Sequence, residues 1–150
     1  MKSINRKTML LFAMCTILFS FLPKPGGEGF EIYLNNKVVL QQFGGDMNTV
    51  ESLQLNSSGN NDKLTIKYHH CGKVGKNRII TVKDGQNKVL KQFRYADAVT
   101  PVSPMAVNVN DILSFKKKDN TLKLFYSSSE LPNGRVLASI NASSGVTGRQ

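Results

Sequence analysis

Apolar and polar residues alternate in short runs along most of this chain. Residues 63–70 show it best: Leu64, Ile66, Tyr68 and His70 fall on one side, and Thr65, Lys67 and His69 on the other. That period of two is the pattern of a half-buried β-strand. Similar runs cover residues 30–35, 37–43, 51–55, 78–83, 88–95, 121–127 and 135–140. A weaker one, 105–115, breaks near Asn110-Asp111. Turn chemistry separates them: Asn35-Asn36, the loop NSSGNND, Asp84-Gly85-Gln86-Asn87 and Pro132-Asn133-Gly134. Asn and Gly tolerate the positive φ that tight hairpins demand.

No stretch beyond residue 23 carries a helical period. The spacing therefore predicts an all-β chain, an antiparallel β-sandwich of about seven or eight short strands of Ig-like type. A small barrel is the second choice, because periodicity does not separate sheet closure from sheet stacking. The sandwich is expected over 30–141, after a linker at 24–29 and before a polar tail at 142–150. Residues 36–43 (NKVVLQQF) echo 87–93 (NKVLKQF), each the second arm of an expected hairpin. Shared turn-then-strand rules account for the echo without a duplication.

Residues 1–23 read as a signal peptide. Lys2, Arg6 and Lys7 form a positive start, residues 9–22 are apolar except for Thr16 and Ser20, and Pro23 ends the run. At about 1.5 Å per residue the apolar stretch reaches roughly 21 Å, short of the roughly 30 Å hydrocarbon core of a bilayer. No A-x-A-like pair of small residues precedes Pro23, so the cleavage position stays open. A retained segment would anchor the chain in a membrane. Cys15 follows Met14 rather than a small residue, which argues against lipidation. The chain is expected to be exported, to a periplasm, cell surface or medium.

The chain has 150 residues, 40% of them hydrophobic. That is enough for one packed domain and too much for a disordered chain. With 2 Cys and 2 His it is neither a disulfide-dense miniprotein nor a four-ligand zinc finger. Its 20 Lys+Arg exceed its 10 Asp+Glu, for a net charge of +10. Losing residues 1–23 removes three basic and no acidic residues, leaving about +7.

The densest candidate chemistry is Tyr68-His69-His70-Cys71-Gly72. If the strand continued, His69 and Cys71 would point together, and a thiolate beside an imidazole suits Cu(I) or Zn(II). Two ligands fall short of the four a structural zinc needs. The plainer reading has His70 inward, His69 solvated and Cys71 as a small filler near the loop. A lone Cys in an exported protein also points to a Cys71-linked homodimer, or to a thiol activated by Lys73, Lys76 and Arg78.

The second candidate is a basic face. Lys73, Lys76, Arg78, Lys83, Lys88, Lys91 and Arg94 are accompanied by Asp84 alone. Lys116-Lys117-Lys118 forms a separate run. Such a face suits an anionic glycan or a protein partner. Nucleic acid is not expected, since few aromatics interleave the charges. No phosphate-cradling loop, H-E-x-x-H or G-x-S-x-G motif is present, and no carboxylate pair is selected by spacing. Neither an enzyme nor a cofactor is expected. Asn56-Ser57-Ser58 and Asn141-Ala142-Ser143 match the N-glycosylation pattern.

The segments FEIYLNNKVVLQQF, ITVKDGQNKVLKQF and ELPNGRVLASI give the chain a texture that resembles the small, uncharacterised exported β-sandwich proteins of the Bacteroidetes. The last two look like strands of the C-terminal sorting domains of type IX secretion. They lie well apart here, and the chain ends in a polar tail rather than a basic terminus. The resemblance implies an exported sandwich and assigns no functional residues. The expectation is a non-enzymatic binding or structural module of the cell envelope. Its alternative is a metal- or thiol-dependent protein centred on His69, His70 and Cys71.

Overall fold

The computed structural model describes residues 27–56, 61–116 and 121–141. The expected signal peptide, the polar tail, Cys15 and most of the 116–118 lysine run lie outside them.

Alternation is realised as two open sheets. In one, β1 (Glu28–Leu34), β2 (Lys37–Phe43), β4 (Lys63–His70) and β7 (Met105–Asn108) lie in the order β2-β1-β4-β7. In the other, β3 (Glu51–Gln54), β5 (Arg78–Lys83), β6 (Val89–Tyr95), β8 (Leu122–Ser128) and β9 (Leu131–Asn141) lie in the order β3-β9-β8-β5-β6. The strands thus number nine among the described residues, where seven or eight were expected. The inward faces share one core: Phe30, Ile32, Leu64 and Ile66 from the first sheet meet Ile80, Val82, Leu124 and Tyr126 from the second. The all-β expectation holds.

The β1–β2 hairpin turns where Asn35 and Asn36 stand, both at positive φ (48° and 69°). In the β5–β6 turn, Asp84 Oδ1 accepts from the backbone N–H groups of Gln86 and Lys88 at 3.0 and 2.9 Å. Asn87 completes that turn at φ 65°. The echoed segments 36–43 and 87–93 therefore do equivalent jobs, supplying β2 at the edge of one sheet and β6 at the edge of the other.

Three details depart from the expected pattern. β3 runs parallel to β9 (Glu51 opposite Ala138, Gln54 opposite Asn141). Tight hairpins force antiparallel pairing only on strands joined directly, and β3 and β9 are far apart in the chain. The expected strand 105–115 ends at Asn108 and continues as a single helical turn, α1 (Val109–Leu113), burying Val109 and Ile112. A pair of apolar residues three apart is too short to register as a helical period.

β9 also begins at Leu131 and so runs through the expected turn at Pro132-Asn133-Gly134. β3 pairs only with residues 138–141, so the first half of β9 is bonded to β8 alone and Pro132 breaks no second ladder. Register shifts in β8–β9 accommodate Gly134 at φ +64° beneath the Phe125 ring. A Cβ there would lie 2.2 Å from Phe125 Cε1 and 2.8 Å from the Tyr126 carbonyl. Gly134→Ala is expected to cost about 2–3 kcal/mol, from the strained backbone and the overpacking together. Urea denaturation followed by tyrosine fluorescence measures it. A loss within about 0.5 kcal/mol, the range of ordinary surface changes, would mean that the ring and bulge relax freely.

Candidate functional site

His70 is the last residue of β4 and, by alternation, points inward with Leu64, Ile66 and Tyr68. Its Nε2 lies 2.9 Å from the Tyr126 hydroxyl and 3.3 Å from Ser128 Oγ, both on β8 in the opposite sheet. Tyr68 stacks on Tyr126 with ring centroids 4.4 Å apart, and lies 4.7 Å from the His70 ring. The Tyr68 hydroxyl donates to Glu28 at 2.5 Å, and Glu28 in turn pairs with Arg135 at 3.4 Å. Arg135 also donates to the Met47 carbonyl. These contacts bind β1, β4, β8 and β9 into one polar-aromatic knot at one end of the sandwich.

Burial sets the protonation states there. Desolvation lowers the pKa of His70 against the opposing pull of Glu130 and Glu28, so the ring is held neutral. Burial pushes the Tyr68 phenol well above its ordinary value, with the Glu28 carboxylate adding to the rise. Tyr126 is raised for the same first reason. Partial desolvation pushes the Glu130 carboxyl upward, but it titrates below its ordinary value. Hydrogen bonds from the Lys76 and Glu130 N–H groups and the Ser128 hydroxyl outweigh that burial.

Cys71 does not continue the strand. It sits in the left-handed region at φ 52°, followed by Gly72 at φ 83°, and Lys73 N–H closes the turn on the His70 carbonyl at 3.1 Å. The shared face of His69 and Cys71 that a continued strand would give is therefore not realised, because the chain turns after His70. Cys71 is exposed and free rather than a packed filler. It lies on the rim of an open cleft of about 270 Å³ with His70, Glu28, Lys73, Glu130 and Leu131.

His69 points to the outer face. Its ring meets Phe43 edge-on at 5.3 Å, and its Nε2 approaches Glu31 at 3.4 Å without hydrogen-bond geometry. His69 and His70 thus look to opposite sides of β4. No three His, Cys, Asp or Glu side chains among the described residues converge as a metal site would require.

The seven basic residues do not share one face. Lys73 and Lys76 are exposed in the β4–β5 loop. Arg78, expected on the basic face, is buried. Its phase on β5 is that of Ile80 and Val82, and the following β6–β7 connection supplies carbonyls to receive it. Nε and Nη2 donate to Ala96 O at 3.0 and 2.8 Å, and Nη1 donates to Ser103 O at 2.7 Å. Arg78 fastens that connection and presents nothing to a partner.

Lys83 and Arg94 stand on the outer face of the five-stranded sheet, Lys91 on the opposite side of β6, and Lys88 in the hairpin. Lys123 on β8, absent from the expected set, is the cross-strand partner of Lys83. Alternation in the run 121–127 turns Lys123 outward, but only the β5–β8 register puts it beside Lys83. Like charges directly opposite each other on a sheet repel. Here the two bend apart, Lys83 Nζ to 3.6 Å over the Phe125 ring and Lys123 Nζ to 2.9 Å from Asn87 Oδ1.

The chain matches no model of a known protein family, and no curated protein matches it.

The depressed pKa of His70 has a stability consequence of definite sign. Below its ordinary pKa of 6.5 the unfolded chain takes up a proton that the folded one resists, so stability falls as pH drops through that value toward the folded pKa. Chemical denaturation at pH 7 and pH 5 should show a steeper loss for the natural chain than for His70→Gln. Parallel losses in the two proteins would remove His70 as the cause.

Proposed function

We propose that this chain is an exported, non-enzymatic binding or structural module of the cell envelope, which contacts a protein or an anionic glycan through a basic face. The observation that carries this reading is the opposition of Lys83 and Lys123 across β5 and β8, with Arg94 on the same face and Lys88 in the adjoining hairpin. The acid of that hairpin, Asp84, spends its Oδ1 on two backbone N–H groups. An anion seated between the lysines would offer both a full opposite charge, where the fold gives them only the Phe125 ring and the Asn87 side-chain oxygen.

The Ig-like reading of the sandwich is supported by its connectivity. β9, β8, β5 and β6 run in the order of strands G, F, C and C′, while β4 and β7 neighbour one another as B and E do. Export rests on the positive start and short apolar run of residues 1–23, in keeping with the resemblance to exported Bacteroidetes sandwiches. No helix among the described residues is long and apolar enough to cross a membrane. The alternative, a thiol- or metal-dependent protein centred on His69, His70 and Cys71, is favoured by one observation. Cys71 is exposed on the rim of the cleft that His70 and Glu130 line.

A heparin column tests the basic face with a defined polyanion. The natural chain should bind at low ionic strength and elute as salt rises through the physiological range, where charges separated by about 8 Å become screened. Lys83→Glu with Lys123→Glu should elute in the flow-through, and Cys71→Ser should elute with the natural chain. Co-elution of the double variant with the natural chain would sink the basic-face reading. A shift confined to Cys71→Ser would favour the thiol.

A further inference from the structure

β6 ends the five-stranded sheet, and among the described residues no strand pairs with its outer side. An unpaired seven-residue strand exposes a row of backbone donors and acceptors, ready to pair with another extended chain. The only charges β6 carries are positive, Lys91 and Arg94 on its two sides, and it follows Lys88.

Beside this edge lies an open cleft of about 240 Å³ between the two sheets. It is lined by Phe93 of β6, by Ala106, Val107 and Asn108 of β7, and by Lys63 and Asp111. The Tyr95 hydroxyl donates to the Ala106 carbonyl at 2.9 Å, tying the β6 edge to β7. Burial pushes that phenol up to about 12, so the donor persists over any physiological pH. Edge and cleft are therefore braced before a partner arrives, which lowers the entropic cost of binding.

We infer that β6 is a docking edge for an extended acidic segment of a partner protein, added as a sixth strand with apolar residues alternating with Asp or Glu. This rests on the basic-face reading and names its partner. Side chains of an added strand alternate between its two sides. On the inner side they would meet the cleft, where Phe93 and Val107 favour an apolar group and Lys63 and Asp111 offset each other in charge. On the outer side they would meet Arg94, and a carboxylate is the fitting complement. Main-chain pairing supplies the affinity in this mode, and the alternate side chains supply the selectivity.

A second copy of this chain is a poorer occupant. β6 set against β6 adds cation to cation with no acid on either strand, and β2, the other long edge, carries Lys37 and no acid. Self-pairing would gather like charges along one edge, whereas an acidic strand would neutralise them.

The probe is an acetylated octapeptide of alternating Val and Glu, compared with one of alternating Gly and Glu at the same charge. The full chain is titrated with each and its amide hydrogen exchange followed. The Val-Glu peptide should bind more tightly, and it should slow exchange along 89–95 while leaving 37–43 unchanged. Arg94→Glu, which reverses the cation on the outer side, should weaken it about tenfold or more, roughly 1.4 kcal/mol, with an unaltered melting temperature confirming that the variant folds.

Equal binding of both peptides, or binding without protection of 89–95, overturns strand addition and leaves the salt-dependent face standing. Failure of both peptides to bind while heparin is retained does the same. Failure of peptides and heparin together removes the underlying reading as well. Concentration-dependent association of Lys91→Thr with Arg94→Thr, without peptide protection in the natural chain, would show that the charges only guard the edge.

Discussion

The Tyr126 hydroxyl lies in a core that water does not reach, and a phenol in that position needs a hydrogen-bond partner from the opposing sheet. His70 supplies it. Much of one end of the molecule depends on that contact. For His70 to face inward, β4 must hold the phase that buries Leu64, Ile66 and Tyr68, which in turn fixes Thr65, Lys67 and His69 on the outer face. Tyr68 then stacks on Tyr126, and its own hydroxyl draws in Glu28 and through it Arg135. The strand stops where its last inward residue is satisfied, so Cys71 and Gly72 turn outward in left-handed conformations.

The same rule of satisfied burial divides the basic residues into different jobs. Arg78 shares its phase with Ile80 and Val82, and an inward guanidinium is tolerable only because the Ala96 and Ser103 carbonyls receive it. Lys83 and Lys123 share the outer phase and are left opposed. Lys91 and Arg94 lie on a strand that has a neighbour on one side only, where charge discourages indiscriminate pairing and selects an acidic complement. Seven cations adjacent in sequence therefore become a structural clamp, a loop pair, and a face with an edge beside it.

Most of the strands were legible because alternation and turn chemistry are local. The run Lys63–His70 and the Asn35-Asn36 and Asp84–Asn87 turns appear in the fold where their residue types place them. The inward phase of His70 also followed from alternation. What was not legible lay in contacts between distant segments. α1 buries only two residues and has no periodic signature of its own. The parallel β3–β9 pair joins segments nearly at opposite ends of the domain. Cys71 was read as a small filler near the loop, and its exposure depends on the left-handed turn at Cys71-Gly72, which has no period of its own.

Residue types along the chain were sufficient for an all-β domain, its hairpins, the core-facing residues of its main strands and its cationic character, because each depends on neighbours two to four positions away. Which strands pair, which edges stay open, whether Arg78 is a clamp or a contact, and that Lys123 stands beside Lys83 were settled by folding alone. Those outcomes turn on register and burial between remote segments, and a register is a property of two strands together that neither one carries in its own pattern.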